Sequence, residues 1–98
     1  MDRETIRVQR VGGDDPLVFD VVVAEPDGVS RHRVTLSRAD AARLGAGAPL
    51  EGLVTAAFRF LLDREPKEAI LTRFDLSVIA EYFPQFETAL PAYLSEAE

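Results

Sequence analysis

The sequence predicts an α+β fold, a three-stranded antiparallel β-meander (N-terminal) packed against three to four C-terminal α-helices. Two observations carry this reading. The hydrophobic period is two as far as Leu36 and about 3.6 beyond Ser37. Two turn signals, Gly12-Gly13-Asp14-Asp15-Pro16 and Pro26-Asp27-Gly28, cut the first part into three runs. The 98 residues show no repeat, linker or low-complexity tract and so read as one domain. Within it, residues 1–36 form the meander, 37–94 the helical part and 95–98 a frayed tail.

The first strand is expected over Thr5–Val11, with Ile6 and Val8 on one face and Thr5, Arg7 and Gln9 on the other. The second, Leu17–Ala24, is apolar on both faces, which suits the central position of the sheet. Leu17, Phe19, Val21 and Val23 are expected to face the core. In the third, Ser30–Leu36, the residues His32, Val34 and Leu36 share a face opposite Arg31, Arg33 and Thr35. Core residues must share a face across the hairpin, so paired numbers must sum to an odd value. The expected sum is 55, which sets Val23 opposite His32, Val21 opposite Val34 and Phe19 opposite Leu36.

Ser37 is expected to cap a short helix that Gly45 and Gly47 end. A longer helix, Pro49–Arg64, carries an apolar stripe of Leu50, Leu53, Val54, Ala57, Phe58 and Leu61. Phe60 and Leu62 lie beside that stripe and widen it. Pro66 stops this helix, and a short one through Ile70 and Leu71 follows. Asp75 caps the next, which carries Leu76, Ile79 and Phe83 and ends at Pro84. A last helical stretch from Gln85 is expected to be broken by Pro91.

Composition excludes several classes of function. No window approaches the roughly 18 apolar residues of a membrane span, and the charged start, Met-Asp-Arg-Glu-Thr, is unlike a signal peptide, so a cytoplasmic location is expected. The absence of cysteine removes thiolate catalysis, disulfides and cysteine-ligated metals. The formal charge is −6, and residues 39–98 carry ten acidic groups against five basic. That balance argues against a general nucleic-acid partner, whose affinity rests on neutralised phosphates.

Candidate chemistry is sparse. His32 is the lone imidazole, and it reads as a core-edge histidine held by a backbone or carboxylate partner, with Ser30 the nearest hydroxyl. Asp14 and Asp15 lack the alternating oxygen ladder of a calcium loop and read as a solvated turn. No catalytic residue, cofactor or metal site is expected. Arg7, Arg31 and Arg33, with Arg3 nearby, form an arginine-bearing sheet face on which Asp20 and Glu4 can neutralise part of the charge. This face could bind an anion or a partner, but it lacks the aromatics with which single-strand binders stack bases.

Seven of the eight aromatics fall in residues 58–93. A three-stranded sheet offers one modest face to cover them, and surplus apolar surface usually marks an interface. The candidate interface residues are Phe60, Phe74, Tyr82, Phe86 and Tyr93. The tract Phe60-Leu61-Leu62-Asp63-Arg64-Glu65-Pro66-Lys67-Glu68-Ala69-Ile70-Leu71, continued by Phe74-Asp75-Leu76, Ile79 and Tyr82-Phe83-Pro84, resembles the C-terminal half of small uncharacterised bacterial proteins. The resemblance covers about residues 53–87 and implies no activity.

The expectation is therefore a non-catalytic protein–protein interaction module or small accessory subunit, self-associating as a homodimer or meeting a protein partner through the aromatic-rich helices. The alternative is an antitoxin-like or nucleic-acid-associated regulator using the arginine face. A small enzyme ranks third.

Overall fold

The meander forms as expected in a computed structural model that describes residues 5–45 and 47–97. Strands β1 (Thr5–Gly13), β2 (Leu17–Glu25) and β3 (Gly28–Leu36) pair antiparallel in sequence order. Alternation holds along β2, where Leu17, Phe19, Val21 and Val23 are buried and the residues between them are half-buried. At Gly13, φ is +77°, and a Cβ there would lie 2.8 Å from Val18 Cγ2, so only glycine fits this turn. A bulge at Val11 shifts the β1–β2 register.

The hairpin register differs from expectation by two residues. Val21 lies opposite His32, Phe19 opposite Val34 and Leu17 opposite Leu36, so paired numbers sum to 53. The turn holds only Pro26 and Asp27, because Glu25 already pairs with Gly28. A slip of two leaves every side chain on its expected face. It also brings Asp20 directly opposite Arg33 rather than diagonal to it.

Ser37 Oγ accepts the Asp40 N–H at 3.0 Å and opens α1 (Arg38–Gly45). Asp14 and Asp15 tie the first turn of the chain to the same place. Arg38 donates to Asp14 Oδ1 at 2.7 Å, and its N–H reaches Asp15 Oδ1 at 3.2 Å. Helix α2 (Leu50–Leu62) is shorter than expected by a residue or two at each end. Its stripe packs on the sheet, and its far side is covered by α4 (Phe86–Ala97).

That two-sided cover corrects the reading of Phe60. Residues two apart on a helix point about 200° from each other. Phe58 therefore faces the sheet side, near His32 and Phe74 (ring centroids 5.3 and 6.0 Å), while Phe60 faces Phe83, Phe86 and Tyr93 (5.8, 5.1 and 5.7 Å). Both phenylalanines are 0% exposed.

The segment after Pro66 also departs from expectation. Instead of a helix through Ile70 and Leu71, a 3-10 turn at Lys67–Ala69 leads into a short strand, β4 (Arg73–Asp75). β4 runs parallel to β3, so the sheet is four-stranded and mixed, in the order β1-β2-β3-β4. The physical reason is the free edge of β3. Arg33 N–H donates to Thr72 O at 2.7 Å, and Leu76 N–H to Thr35 O at 2.9 Å. Backbone groups that water would otherwise serve are paired this way.

Helix α3 (Val78–Tyr82) follows, and Pro84 separates it from α4. Asp75 Oδ2 accepts the N–H and hydroxyl of Ser77 just ahead of α3. α4 runs through Pro91 rather than breaking there. The N–H that Pro91 lacks would have served the Glu87 carbonyl, and both residues lie on the exposed side of the helix. Glu98, the end of the expected frayed tail, lies outside the described residues, as do Arg3 and Glu4.

Candidate functional site

Three places gather side chains with chemical or binding potential. The first surrounds His32, which is 4% exposed. Its Nδ1 lies 2.8 Å from Leu71 O and its Nε2 lies 2.8 Å from Ser30 Oγ. A carbonyl only accepts, so Nδ1 carries a proton and donates to it, and whenever Nε2 carries none the Ser30 hydroxyl donates to Nε2. A hydroxyl, an imidazole and an orienting acceptor in line resemble an activated nucleophile. His32 is buried, and neither it nor Ser30 lines the groove described below or the shallow pocket around Arg33 and Arg73. The arrangement pins the Leu71 segment to β3, and His32 is a satisfied core histidine. Ser30→Ala is accordingly expected to cost about 1 kcal/mol in urea melts, and the wild type is expected to be inert to a fluorophosphonate. Stoichiometric labelling of Ser30 would overturn the structural assignment.

The second place is an open apolar groove of about 370 Å³ between the Pro66–Asp75 segment and α3. Buried Leu61, Ile70 and Ile79 form its floor, and Leu71, Phe74, Val78, Tyr82 and Phe83 form its walls. Tyr82 is 69% exposed and Leu71 49%. Glu65 is the one carboxylate in the lining.

The five candidate interface residues separate here. Phe74 and Tyr82 line the groove, Phe74 half-buried and Tyr82 exposed. Phe60 and Phe86 are core residues in a single chain, at 0% and 1% exposure, because α4 closes over the far side of α2. Tyr93 is half-buried against Phe60, and its hydroxyl is already engaged, donating to Asp63 Oδ2 at 2.5 Å and accepting from Arg64 Nη1 at 3.2 Å. The Arg64 guanidinium also lies 3.7 Å above the Phe60 ring. Tyr93 and Arg64 thus form a lid over the aromatic cluster.

The third place is the sheet face turned away from the helices. Arg7, Arg31 and Arg33 all stand exposed on it, as expected, and β4 adds Arg73. Arg33 is held by Asp20 in a two-pronged pair at 2.8 and 3.0 Å, which keeps the Asp20 carboxyl below its ordinary value. Asp75, beside Thr35, is pushed up by burial. Hydrogen bonds from Thr35 (2.6 Å) and Ser77 outweigh that, so its net position is lowered.

Sequence reasoning missed Lys67, which is 2% exposed at the hairpin end of the sheet. Its ammonium donates to Glu25 (2.8 Å), Asp27 (3.0 Å) and Glu68 (2.8 Å). The bonds it donates to Glu25 and then Glu68 raise its affinity for the proton, and Lys67 in turn lowers Asp27 and Glu68. The cluster clamps the β2–β3 turn to the 3-10 turn. The sequence around Lys67 shows only its neighbour Glu68, because Glu25 and Asp27 come from the β2–β3 turn some forty residues earlier.

Among the described residues no group of histidine, aspartate and glutamate could hold a metal ion, and no helix is long and apolar enough to cross a membrane. Comparison of the chain with family models, curated proteins and solved structures finds no match.

Proposed function

We propose that the protein is a non-catalytic interaction module that self-associates through the groove between the Pro66–Asp75 segment and α3. The observation that carries this reading is the open apolar groove with the exposed Tyr82 and Leu71 beside it. Large apolar side chains exposed together, rather than singly, mark contact surfaces. The patch also has the self-complementary form a two-fold contact requires. It carries a projecting aromatic ring and a cavity side by side, so Tyr82 of each copy can enter the groove of the other. Tyrosine suits that place, pairing an apolar ring with a hydroxyl that needs a partner. Glu65 supplies an acceptor in the groove, and its carboxylate makes no hydrogen bond among the described residues.

The double variant Leu71→Ser/Tyr82→Ser tests this reading. Both side chains are exposed, so the variant is expected to keep its circular dichroism spectrum and melt close to the wild type. Its dimer dissociation constant is expected to rise by at least about tenfold, since two apolar anchors are lost. An unchanged dissociation constant with an intact fold would place the contact elsewhere.

A further inference from the structure

We infer that the open face of the sheet docks an acidic, extended segment of a partner protein, a surface separate from the groove and independent of it. All the helices that cover the sheet lie on its other side, and the residues turned outward remain exposed or half-buried. Arg7 on β1 and Arg31 on β3 flank Val22 in one cross-strand row. With strands about 4.8 Å apart, their Cα atoms stand about 10 Å from each other. Arg73 sits beside Arg33 in the next row. Arg33 is occupied by Asp20, whereas Arg7, Arg31 and Arg73 form no ion pair among the described residues.

The sign of this face opposes that of the molecule. It carries four arginines against Asp20 and Asp75, in a chain whose formal charge is −6. Segregation of this kind steers an anionic partner to one side. Val22, half-buried, lies between Arg7 and Arg31, and Val29, 56% exposed, lies on the same face in the row beyond them. An extended peptide places alternate side chains about 7 Å apart. Carboxylates at that spacing can reach the guanidinium groups while the intervening backbone lies over the valines. Phosphate backbones share the charge, but bases seek aromatic platforms, and the outward positions of these strands hold none.

The test is a titration of the isotope-labelled full chain with a short peptide alternating glutamate and valine, its lysine–valine counterpart, and an oligouridylate. The acidic peptide is expected to shift amides of the Arg7, Val22, Arg31 and Arg73 rows, with an affinity that weakens as salt rises. The triple variant Arg7→Gln/Arg31→Gln/Arg73→Gln is expected to bind it about tenfold more weakly. Arg31→Gln alone serves where the triple variant fails to fold, and is expected to lose about two- to threefold. Absence of shifts with the acidic peptide, equal binding of the lysine peptide, or tighter binding of the oligouridylate would overturn the inference. Shifts confined to residues around Leu71 and Tyr82 would overturn it too, while leaving the groove proposal standing.

Discussion

Phe60→Ala is expected to cost about 3–5 kcal/mol of folding stability in urea melts, as much as Phe58→Ala. The two rings lie on opposite sides of α2 and are both fully buried. Phe58 fills the layer between α2 and the sheet. Phe60 is the centre of a second cluster, ringed by Phe83, Phe86 and Tyr93 with Arg64 above it. Removing its ring would leave a cavity that the neighbouring aromatics, braced by α4, cannot collapse to fill. Domains are stable by only about 5–15 kcal/mol, so either substitution would bring the chain near its folding threshold. A loss at Phe60 of about 1 kcal/mol or less would mean that α4 does not close over α2 as described.

Lys67→Met is expected to destabilise the fold at neutral pH and much less in acid. Lys67 is buried, whereas the carboxylates of Asp27 and Glu68 face water. The substitution therefore leaves three repelling carboxylates that salt can partly screen. The pH dependence has a definite sign. Asp27 and Glu68 hold their protons less tightly than the ordinary 3.8 and 4.5 because of Lys67. Their contribution is complete above those ordinary values and disappears as pH falls through the lowered ones. Lys67 itself binds its proton more tightly than the ordinary 10.5, so its own contribution persists below that value and is lost only at higher, strongly alkaline pH. The stability gap between wild type and variant should thus be wide at pH 7 and shrink as pH falls below the ordinary 3.8 and 4.5. A gap that is constant across this range would show that Lys67 acts by packing alone.

The faces of the strands were legible because period-two alternation is a local property. In β2 the alternation of Phe19, Val21 and Val23 with Asp20 reads directly as inside and outside. Alternation carries only the parity of the pairing, however. The step from Val23 opposite His32 to Val21 opposite His32 keeps every residue on its face and is decided by where the two-residue turn falls, at Pro26–Asp27. β4 was illegible for a different reason. Arg73-Phe74-Asp75 is too short to show a period, and it is a strand only because β3 offers an unpaired edge.

The site was partly legible on the same terms. The surplus of aromatics beyond residue 58 pointed to the half of the chain in which the groove is found. Which rings are spent inside and which remain outside depends on where α4 lands. Phe60 and Phe86 went to the second core, and Tyr93 became its lid. Tyr82 stayed out, and Leu71 joined it when its segment left the helix and bonded to His32 through its carbonyl. The lysine clamp depended on Glu25 and Asp27, distant in sequence, as well as on its neighbour Glu68.

Sedimentation equilibrium of the wild type across a wide concentration range tests self-association through the groove most directly. The account predicts a reversible monomer–dimer equilibrium whose dimer is lost in Leu71→Ser/Tyr82→Ser. A wild type that sediments as a monomer at every concentration up to the millimolar range would contradict it.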